Sequence, residues 1–381
     1  MGNQLCKFDE SQIESSKPPK VFKDTTTALM IRVAVIMTLF FMVLVLLFSY
    51  IAGGWVAKLF SPYYSFDLIP NLKGKVAVVT GSNTGIGKVT VRELVRKGAY
   101  VIATARDETR GIEAVQDIAN EMKAIVGAGK VEFALLDLSS FKSVKKFANS
   151  YLRKHDNKPL DMLILNAGIM STPFSLSADG FESQFAVNHL GHFLLTKLLM
   201  TKIKNSGTRI VSVSSLAHLN TYKNGVEFDQ LMSNKSYASD KAYGQSKLAN
   251  ILFTNELAVR LKGTQATANS LHPGSIKTEL SRHIMNNLGS YELILAPLIY
   301  LAELALMDAD MGSLTQLYVA TSPKLKGVTG KYFSPIAVES KTSTQAHNLK
   351  LQKNLWDVSE ILISEIDLKK RTKRIAQILA A

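Results

Sequence analysis

Tyr243 and Lys247 stand four residues apart in Ala242-Tyr-Gly-Gln-Ser-Lys247. Apolar Leu248, Ile251, Leu252, Leu257 and Leu261 recur at helical spacing behind them, so Tyr243 to Lys262 reads as a helix. Residues four apart share one helix face, which aims the phenol and the ammonium the same way. A free tyrosine titrates near ~10 and is a poor acid–base group at neutral pH. A neighbouring cation stabilises the phenolate and lowers that value. Such a pair can deliver or remove a proton near neutrality. The spacing alone occurs in many helices. It gains weight here from a glycine-rich loop and a Val-Ser-Ser strand end that precede it.

The elements that must position the pair begin at Lys75-Val-Ala-Val-Val-Thr80, a short apolar run of the kind that forms a buried parallel strand. It leads into Gly81-Ser-Asn-Thr-Gly85-Ile-Gly87, then a helix over about Ile86 to Lys97 and a second strand over Tyr100 to Ala105. Strand, glycine turn, helix, strand is the context a dinucleotide site requires. Glycines let the backbone approach a pyrophosphate, and a helix N-terminus offers free N–H groups and the positive dipole end. The spacing is G-x-x-x-G-x-G rather than G-x-G-x-x-G. An NAD site places an acid at the end of the second strand, to hold the ribose 2′-hydroxyl. Here Ala105 stands there and Arg106 follows. A guanidinium suits a 2′-phosphate, which favours NADP(H) over NAD(H).

With these motifs the chain resembles the short-chain dehydrogenase/reductase family over roughly residues 74 to 335. Thr80-Gly81-Ser-Asn83-Thr84-Gly85-Ile86-Gly87 is similar to the family's cofactor loop. Asp137 and Leu138, in Leu136-Asp-Leu-Ser, match the segment whose acid contacts adenine, and Asn166-Ala167-Gly168 matches the motif after the fourth strand. Asn188, Ser215, Tyr243 and Lys247 match the catalytic tetrad, and Pro273-Gly274 with Thr278 matches the segment on the nicotinamide side. Asn83 to Lys88, Ala105-Arg106-Asp107, Val213 to His218 and Leu355-Trp-Asp-Val-Ser-Glu360 resemble the retinol dehydrogenase branch. The branch also carries an insertion before the tyrosine, and Tyr243 lies 28 residues after Ser215.

The resemblance implies a reaction between a carbonyl and an alcohol. Ser215 would hold the substrate oxygen and Tyr243 would act as general acid or base. Lys247 would lower the tyrosine's pKa and hold the nicotinamide ribose. Asn188 would keep a helix locally open for a water that links Lys247 to solvent. Ser214 adjoins Ser215, and only one of them can face the site if the strand alternates; the family register selects Ser215. His189, His192 and His218 lack metal-ligand partners at useful spacing, and the single cysteine, Cys6, adds none. They read as structural or surface histidines, and no metal is expected.

Residues 33–57 contain no charged side chain. As a helix they would cover about 37 Å, enough to cross a hydrocarbon core of ~30 Å. A cleaved signal peptide fits less well, because the polar leader 1–32 is long. Lysines and arginines on the two flanks are too evenly balanced to orient the span. Cys6 excludes an intramolecular disulfide, Asn234-Lys-Ser236 is a weak glycosylation sequon, and Met1-Gly-Asn-Gln-Leu-Cys6 only partly fits a myristoylation signal.

The net charge is +14, with a basic run at Lys369-Lys370-Arg371-Thr372-Lys373-Arg374. Anionic lipid headgroups fit that charge better than nucleic acid does in a chain carrying an anchor. A solvated tail is an equal reading. A second apolar stretch, 288–307, is broken by Glu292, Pro297 and Glu303, and reads as a packing helix or a lid over a lipophilic substrate rather than a second span. The expected organisation is a leader at 1–32, a transmembrane helix at 33–57 and a linker at 58–73. A doubly wound Rossmann-type parallel sheet of about seven strands would follow at 74–335, and a helical basic tail at 336–381. The implied partners are a lipophilic small molecule and membrane lipid, in the endoplasmic reticulum or a related endomembrane; family members commonly form dimers.

Overall fold

The computed structural model describes residues 22–51, 64–276, 306–364 and 368–380. Phe22–Ile51 forms a single helix, α1. Its described side chains, from Leu29 to Leu44, are apolar apart from Arg32 and Thr38 and almost all exposed. Among the described residues no helix is long and apolar enough to cross a membrane. Side chains of the expected span beyond Leu44 lie outside the described residues.

The rest is built on a parallel sheet. Its strands are β1 (Val76–Val79), β2 (Tyr100–Ala105), β3 (Lys130–Leu135), β4 (Met162–Leu165), β5 (Arg209–Val213), β6 (Thr267–Leu271), β7 (Tyr332–Ser334) and β8 (Val338–Glu339). They lie in the order β3-β2-β1-β4-β5-β6-β7-β8, and only the last pairing is antiparallel. The sequence predicts about seven strands; β8 is a two-residue edge added beyond them. Central strands read as unbroken apolar runs because both faces of the sheet are covered. In β1, Val76 and Val78 enter one core and Ala77 and Val79 the other, as alternation along a strand requires.

The helices are α2 (Gly85–Arg96), α3 (Glu108–Met122), α4 (Phe141–Lys154), α5, α6 (Met200–Ser206), α7 (Ser239–Arg260), α8 (Ala309–Thr321), α9 (Leu349–Ile363) and α10 (Leu368–Ala380). α5 joins Ser183–Phe185, a π-helical Ala186–Leu190 and Gly191–Leu198. α7 carries the Tyr/Lys pair and begins four residues before the predicted start. Every residue from Ala242 to Thr254 in it is buried, so its sequence shows no polar face.

Two expected boundaries shift. Tyr64, Ile69 and Leu72 are buried, and the Tyr64 hydroxyl bonds Thr321 Oγ1 at 3.0 Å, so the end of the 58–73 segment is packed structure rather than linker. Residues 336–363 are not a tail. Leu355, Trp356, Val358 and Leu362 of α9 sit in the same core as β4 and α7, and Trp356 stacks on Phe253 and meets Phe193 edge-on. The basic run lies in α10, whose Ile375 still reaches that core. Trp356→Ala should therefore cost about 3–5 kcal/mol, as for other buried large-to-small changes. Urea unfolding should show it as a lower midpoint, whereas a dispensable tail would leave the midpoint unchanged.

Candidate active site

The sheet order reverses direction between β1 and β4, and the strand ends diverge there into a crevice. The glycine loop leaves β1 at this point. Gly81 and Gly85 have φ of +67° and +57°, in the left-handed region open to glycine. A Cβ on Gly81 would lie 2.8 Å from the Ala167 Cα. One on Gly87 would strike the Gly81 carbonyl and come within 2.6 Å of Asn166 Nδ2. Asn166 Nδ2 donates to the carbonyls of Thr80 and Gly81, at 2.9 and 3.1 Å. The Asn166 side chain thus braces the loop. At the start of α2, Thr84 occupies the N-cap with no side-chain cap bond, so Ile86 and Gly87 belong to a helix end open to an anion. Asn83 lies in the turn before it. These residues fit a dinucleotide phosphate.

Arg106 is exposed just past β2, while the Asp107 carboxylate is engaged as the N-cap of α3, accepting from Arg110 N at 3.0 Å. Asp137 accepts from Ser139 N and Oγ, which folds its carboxylate into a local turn. The Leu138 side chain is buried in the core, and a Cβ on Gly191 would strike its backbone, so Leu138 offers a ligand its backbone only. Pro273 and Gly274 follow β6, with Gly274 at φ +103°. Thr278 lies outside the described residues.

The other four candidates converge. Ser215 ends the turn after β5, with its hydroxyl close enough to the Tyr243 phenol to lower the phenol's pKa. Ser214 is turned the other way, its Oγ donating to the Lys247 carbonyl at 2.7 Å. The two serines thus face opposite sides, and Ser215 is the one on the Tyr243 side. Lys247 Nζ lies 5.6 Å from the centre of the Tyr243 ring and donates to the Val213 carbonyl at 3.1 Å. Asn188 sits in the π-helical turn of α5. Its Oδ1 accepts from Ile169 N at 2.8 Å, and its Nδ2 donates to Ile169 O at 2.9 Å and Ser246 Oγ at 2.8 Å. A Cβ on Gly168 would lie 3.2 Å from both Asn188 Oδ1 and Lys247 Nζ, so glycine lets the end of β4 close over them.

Electrostatics differ from the sequence expectation. Burial pushes the Tyr243 phenol up to about 12, and the nearby Ser215 hydroxyl opposes this with a smaller effect. Burial pushes the Lys247 ammonium down to about 8. Desolvation thus outweighs the expected lowering of the phenol by its neighbouring cation.

Sequence reasoning missed the groups that hold these side chains. Ser246 accepts from Asn188 and donates to the Tyr243 carbonyl at 2.7 Å. Its one signal was a place inside the Tyr/Lys motif. Gln184 links Ser171 N to the Tyr237 hydroxyl and the Ser239 carbonyl, joining the segment after β4 to the start of α7. His189, His192 and His218 are all buried, and burial lowers the pKa of each. No sequence pattern marks Gln184 or these histidines.

A sheet of this order, with a glycine turn at its switch point and Ser, Tyr and Lys side chains around one crevice, defines an oxidoreductase class. The chain belongs to the short-chain dehydrogenase/reductase family. A short chain dehydrogenase family model matches residues 75–228. The relatives place the chain in the retinol dehydrogenase-like branch. It is 41% identical to human Retinol dehydrogenase 14, across 77% of this chain and 87% of that protein. It is 42% identical to the chloroplastic Short-chain dehydrogenase TIC 32 B of Brassica napus, across 77% and 90%. Among solved structures, an uncharacterised protein from Mycobacterium paratuberculosis is 33% identical and covers 79% of this chain and 97% of its own, with a TM-score of 0.61. Family membership makes the chain an oxidoreductase that uses an NAD(P) nucleotide on a small molecule.

Burying Lys247 also makes stability depend on pH. Its folded pKa lies below the unfolded 10.5, so the contribution is full above 10.5 and is lost as pH falls through about 8. The loss is on the order of 3 kcal/mol at neutral pH. Lys247→Met removes the amine, and the Val213 carbonyl keeps the Asn250 Nδ2 donor at 3.1 Å. The variant should unfold at higher urea than the parent near about pH 7, and the advantage should shrink by about pH 10. An advantage equal at both pH values would contradict the account.

Proposed function

We propose that this chain interconverts a carbonyl and an alcohol on a lipophilic small molecule with NADP(H), at a membrane to which α1 attaches it. One observation carries the catalytic reading: Tyr243 lies beside Ser215 and a buried Lys247, whose ammonium sits against Gly168 at the end of β4. The Gly81–Gly87 turn and the start of α2 would hold the pyrophosphate, Asp137 would meet the adenine, Ala167 and Gly168 would line the site behind the turn, and Pro273 and Gly274 would lie on the nicotinamide side. Arg106 would meet the 2′-phosphate, which an exposed guanidinium past β2 suits and the engaged Asp107 does not. The bound cofactor supplies or accepts the hydride.

The chain's own groups handle the oxygen and its proton. Ser215 Oγ holds the substrate oxygen beside Tyr243. In the reducing direction the Tyr243 hydroxyl gives its proton to that oxygen as negative charge develops on it. With its pKa near 8, Lys247 can replace that proton at small cost. Asn188 keeps the α5 turn open and fixes the end of β4 through Ile169.

Two observations support a lipophilic substrate and a membrane. Relatives at this identity include ones named for retinol, and the described side chains of α1 are, apart from Arg32 and Thr38, apolar and almost all exposed among the described residues. An endomembrane such as the endoplasmic reticulum fits this reading. Relatives at similar identity carry names without retinol, so the substrate is proposed as a class.

The test is an assay of membranes holding the chain, with NADPH or NADH against retinal, long-chain aldehydes and ketosteroids. NADPH-dependent turnover should fall at least about a hundredfold in Tyr243→Phe, the scale of one general acid, with cofactor binding kept. Arg106→Ala should raise the KM for NADPH about tenfold, as losing one charge-assisted contact would, and leave NADH unaffected. A parent preference for NADH would overturn the Arg106 assignment, and wild-type turnover by Tyr243→Phe would overturn the mechanism.

A further inference from the structure

His192 lies on α5, one turn after Asn188, and is 2% exposed. It is not among the residues that face substrate in the reading above. Its two ring nitrogens touch the two halves of the site. Nε2 is 2.8 Å from Thr80 Oγ1, where β1 turns into the glycine loop. Nδ1 is 3.0 Å from the Asn188 carbonyl oxygen.

Hydrogen-bond accounting fixes which nitrogen carries the proton. Thr80 Oγ1 accepts from Asn166 N at 2.9 Å and Ala167 N at 3.0 Å. A hydroxyl has two lone pairs and one proton, so Thr80 can only donate to the histidine. Its alternative acceptor, the Ile164 carbonyl, is at 3.4 Å, beyond a good O–H···O distance. His192 Nε2 is therefore an acceptor, and the ring proton sits on Nδ1. The Asn188 carbonyl can only accept, which agrees. The widened turn is the other half of the case. Gly191 N bonds back to the Ala186 carbonyl, five residues earlier, so the ordinary ladder is interrupted around Asn188. The His192 Nδ1 donor at the Asn188 carbonyl fixes that carbonyl's direction.

The ring is also kept uncharged. Burial lowers its pKa to about 4, and the Lys247 ammonium adds to the effect, partly offset by the bond to Asn188. The neighbouring His189, lowered to about 3, is neutral too. A protonated ring would present N–H to Thr80, which has no lone pair left to accept it.

We propose that His192, held as the Nδ1–H tautomer, is a positioning residue that couples the glycine loop, through Thr80, to the α5 turn behind Lys247, through the Asn188 carbonyl. The part of this that concerns turnover rests on the oxidoreductase mechanism above. The part that concerns tautomer and cofactor binding does not.

The test has two arms. In the first, histidine-15N-labelled full chain in detergent micelles is examined by NMR, with the His192→Asn spectrum used for assignment. His192 should show the Nδ1–H tautomer and no titration from about pH 5 to 8, the window in which an ordinary histidine titrates. An Nε2–H tautomer, or a midpoint near the usual value, overturns the proposal whatever the activity. In the second, His192→Asn keeps a donor near Nδ1 and gives up the acceptor for Thr80. His192→Gln keeps an acceptor near Nε2 and gives up the donor to Asn188. His192→Asn should weaken NADPH binding about tenfold and preserve the pH profile of kcat. His192→Gln should preserve NADPH binding, lower kcat about tenfold and displace that profile, each change being about the loss of one buried hydrogen bond. Parent-like binding and pH profile in both folded variants would overturn the proposal. If no substrate is turned over, binding and tautomer still decide it; if the variants fail to fold, the NMR of the parent, assigned by elimination against the remaining histidines, decides.

Discussion

Thr80 Oγ1 accepts the backbone N–H groups of Asn166 and Ala167, while Asn166 Nδ2 returns two bonds to the carbonyls of Thr80 and Gly81. This four-bond clasp joins the ends of β1 and β4 where the strand order reverses. The remaining site geometry depends on it. With the clasp closed, only glycine fits at 81 and 87, because the space for a Cβ is taken by Ala167 and by the loop's own carbonyl. The backbone can then come close to a phosphate. The same closure places Gly168 over Asn188 and Lys247. From there the neighbouring strand takes over, since Ser214 of the β5 end holds the α7 backbone and the Val213 carbonyl holds Lys247 and Asn250. Two strand ends thereby fix two helices, and Asn188, Tyr243 and Lys247 ride on those helices.

The clasp buries the groups it positions, and that sets the charge state of the site. Water is excluded from Tyr243 and Lys247 alike, so the phenol is driven toward its protonated form and the amine toward its neutral one. The attraction expected between a phenolate and an ammonium is the smaller effect in this geometry, because both ions must first lose their solvent. The resting pair is therefore a protonated acid beside a weakly held proton. For a proton-delivery role that is a suitable state, since charge need form only when the substrate oxygen begins to carry it. The stability given up at Lys247 is of the kind found where activity rather than folding selects a residue.

The glycine loop, the fold class and the grouping of Asn188, Ser215, Tyr243 and Lys247 were legible because each rests on a residue type that little else can replace at that position. Gly87 meets a carbonyl, and the proposed proton transfer needs a phenol at Tyr243. The strand runs were legible because both faces of the sheet are covered, leaving Val, Ile and Leu without interruption. Other features were hidden for physical reasons. α7 is enclosed on all sides from Ala242 to Thr254, so its start carried no amphipathic signal and fell four residues early. Residues 349–363 open as Leu-Lys-Leu-Gln-Lys and resemble a surface helix, yet Trp356 and Leu355 complete the core against α5 and α7. Only contacts made across the fold reveal that. The phenol's pKa was misjudged because one-dimensional spacing gives the neighbouring charge but not the depth at which both groups lie.

The three histidines carry this point furthest. Their sequence neighbours hold no metal ligand, so as sequence they read as structural or surface residues. In the fold each bridges a tetrad-bearing element to a distant part of the chain. His189 reaches Ser359 of α9. His192 reaches Thr80. His218 donates from Nδ1 to the Ser215 carbonyl at 2.7 Å and accepts Ser343 N–H on Nε2 at 3.3 Å. A neutral imidazole is suited to this work because it offers one donor and one acceptor on opposite sides of a rigid ring, and it can be buried without a counter-ion. An asparagine would be too short to reach both partners, and a lysine or arginine would add a buried charge next to Lys247. Where a site already holds one buried amine, the groups that brace it must be polar enough to satisfy backbone carbonyls and hydroxyls yet remain uncharged, and histidine meets both conditions at His192 and His218.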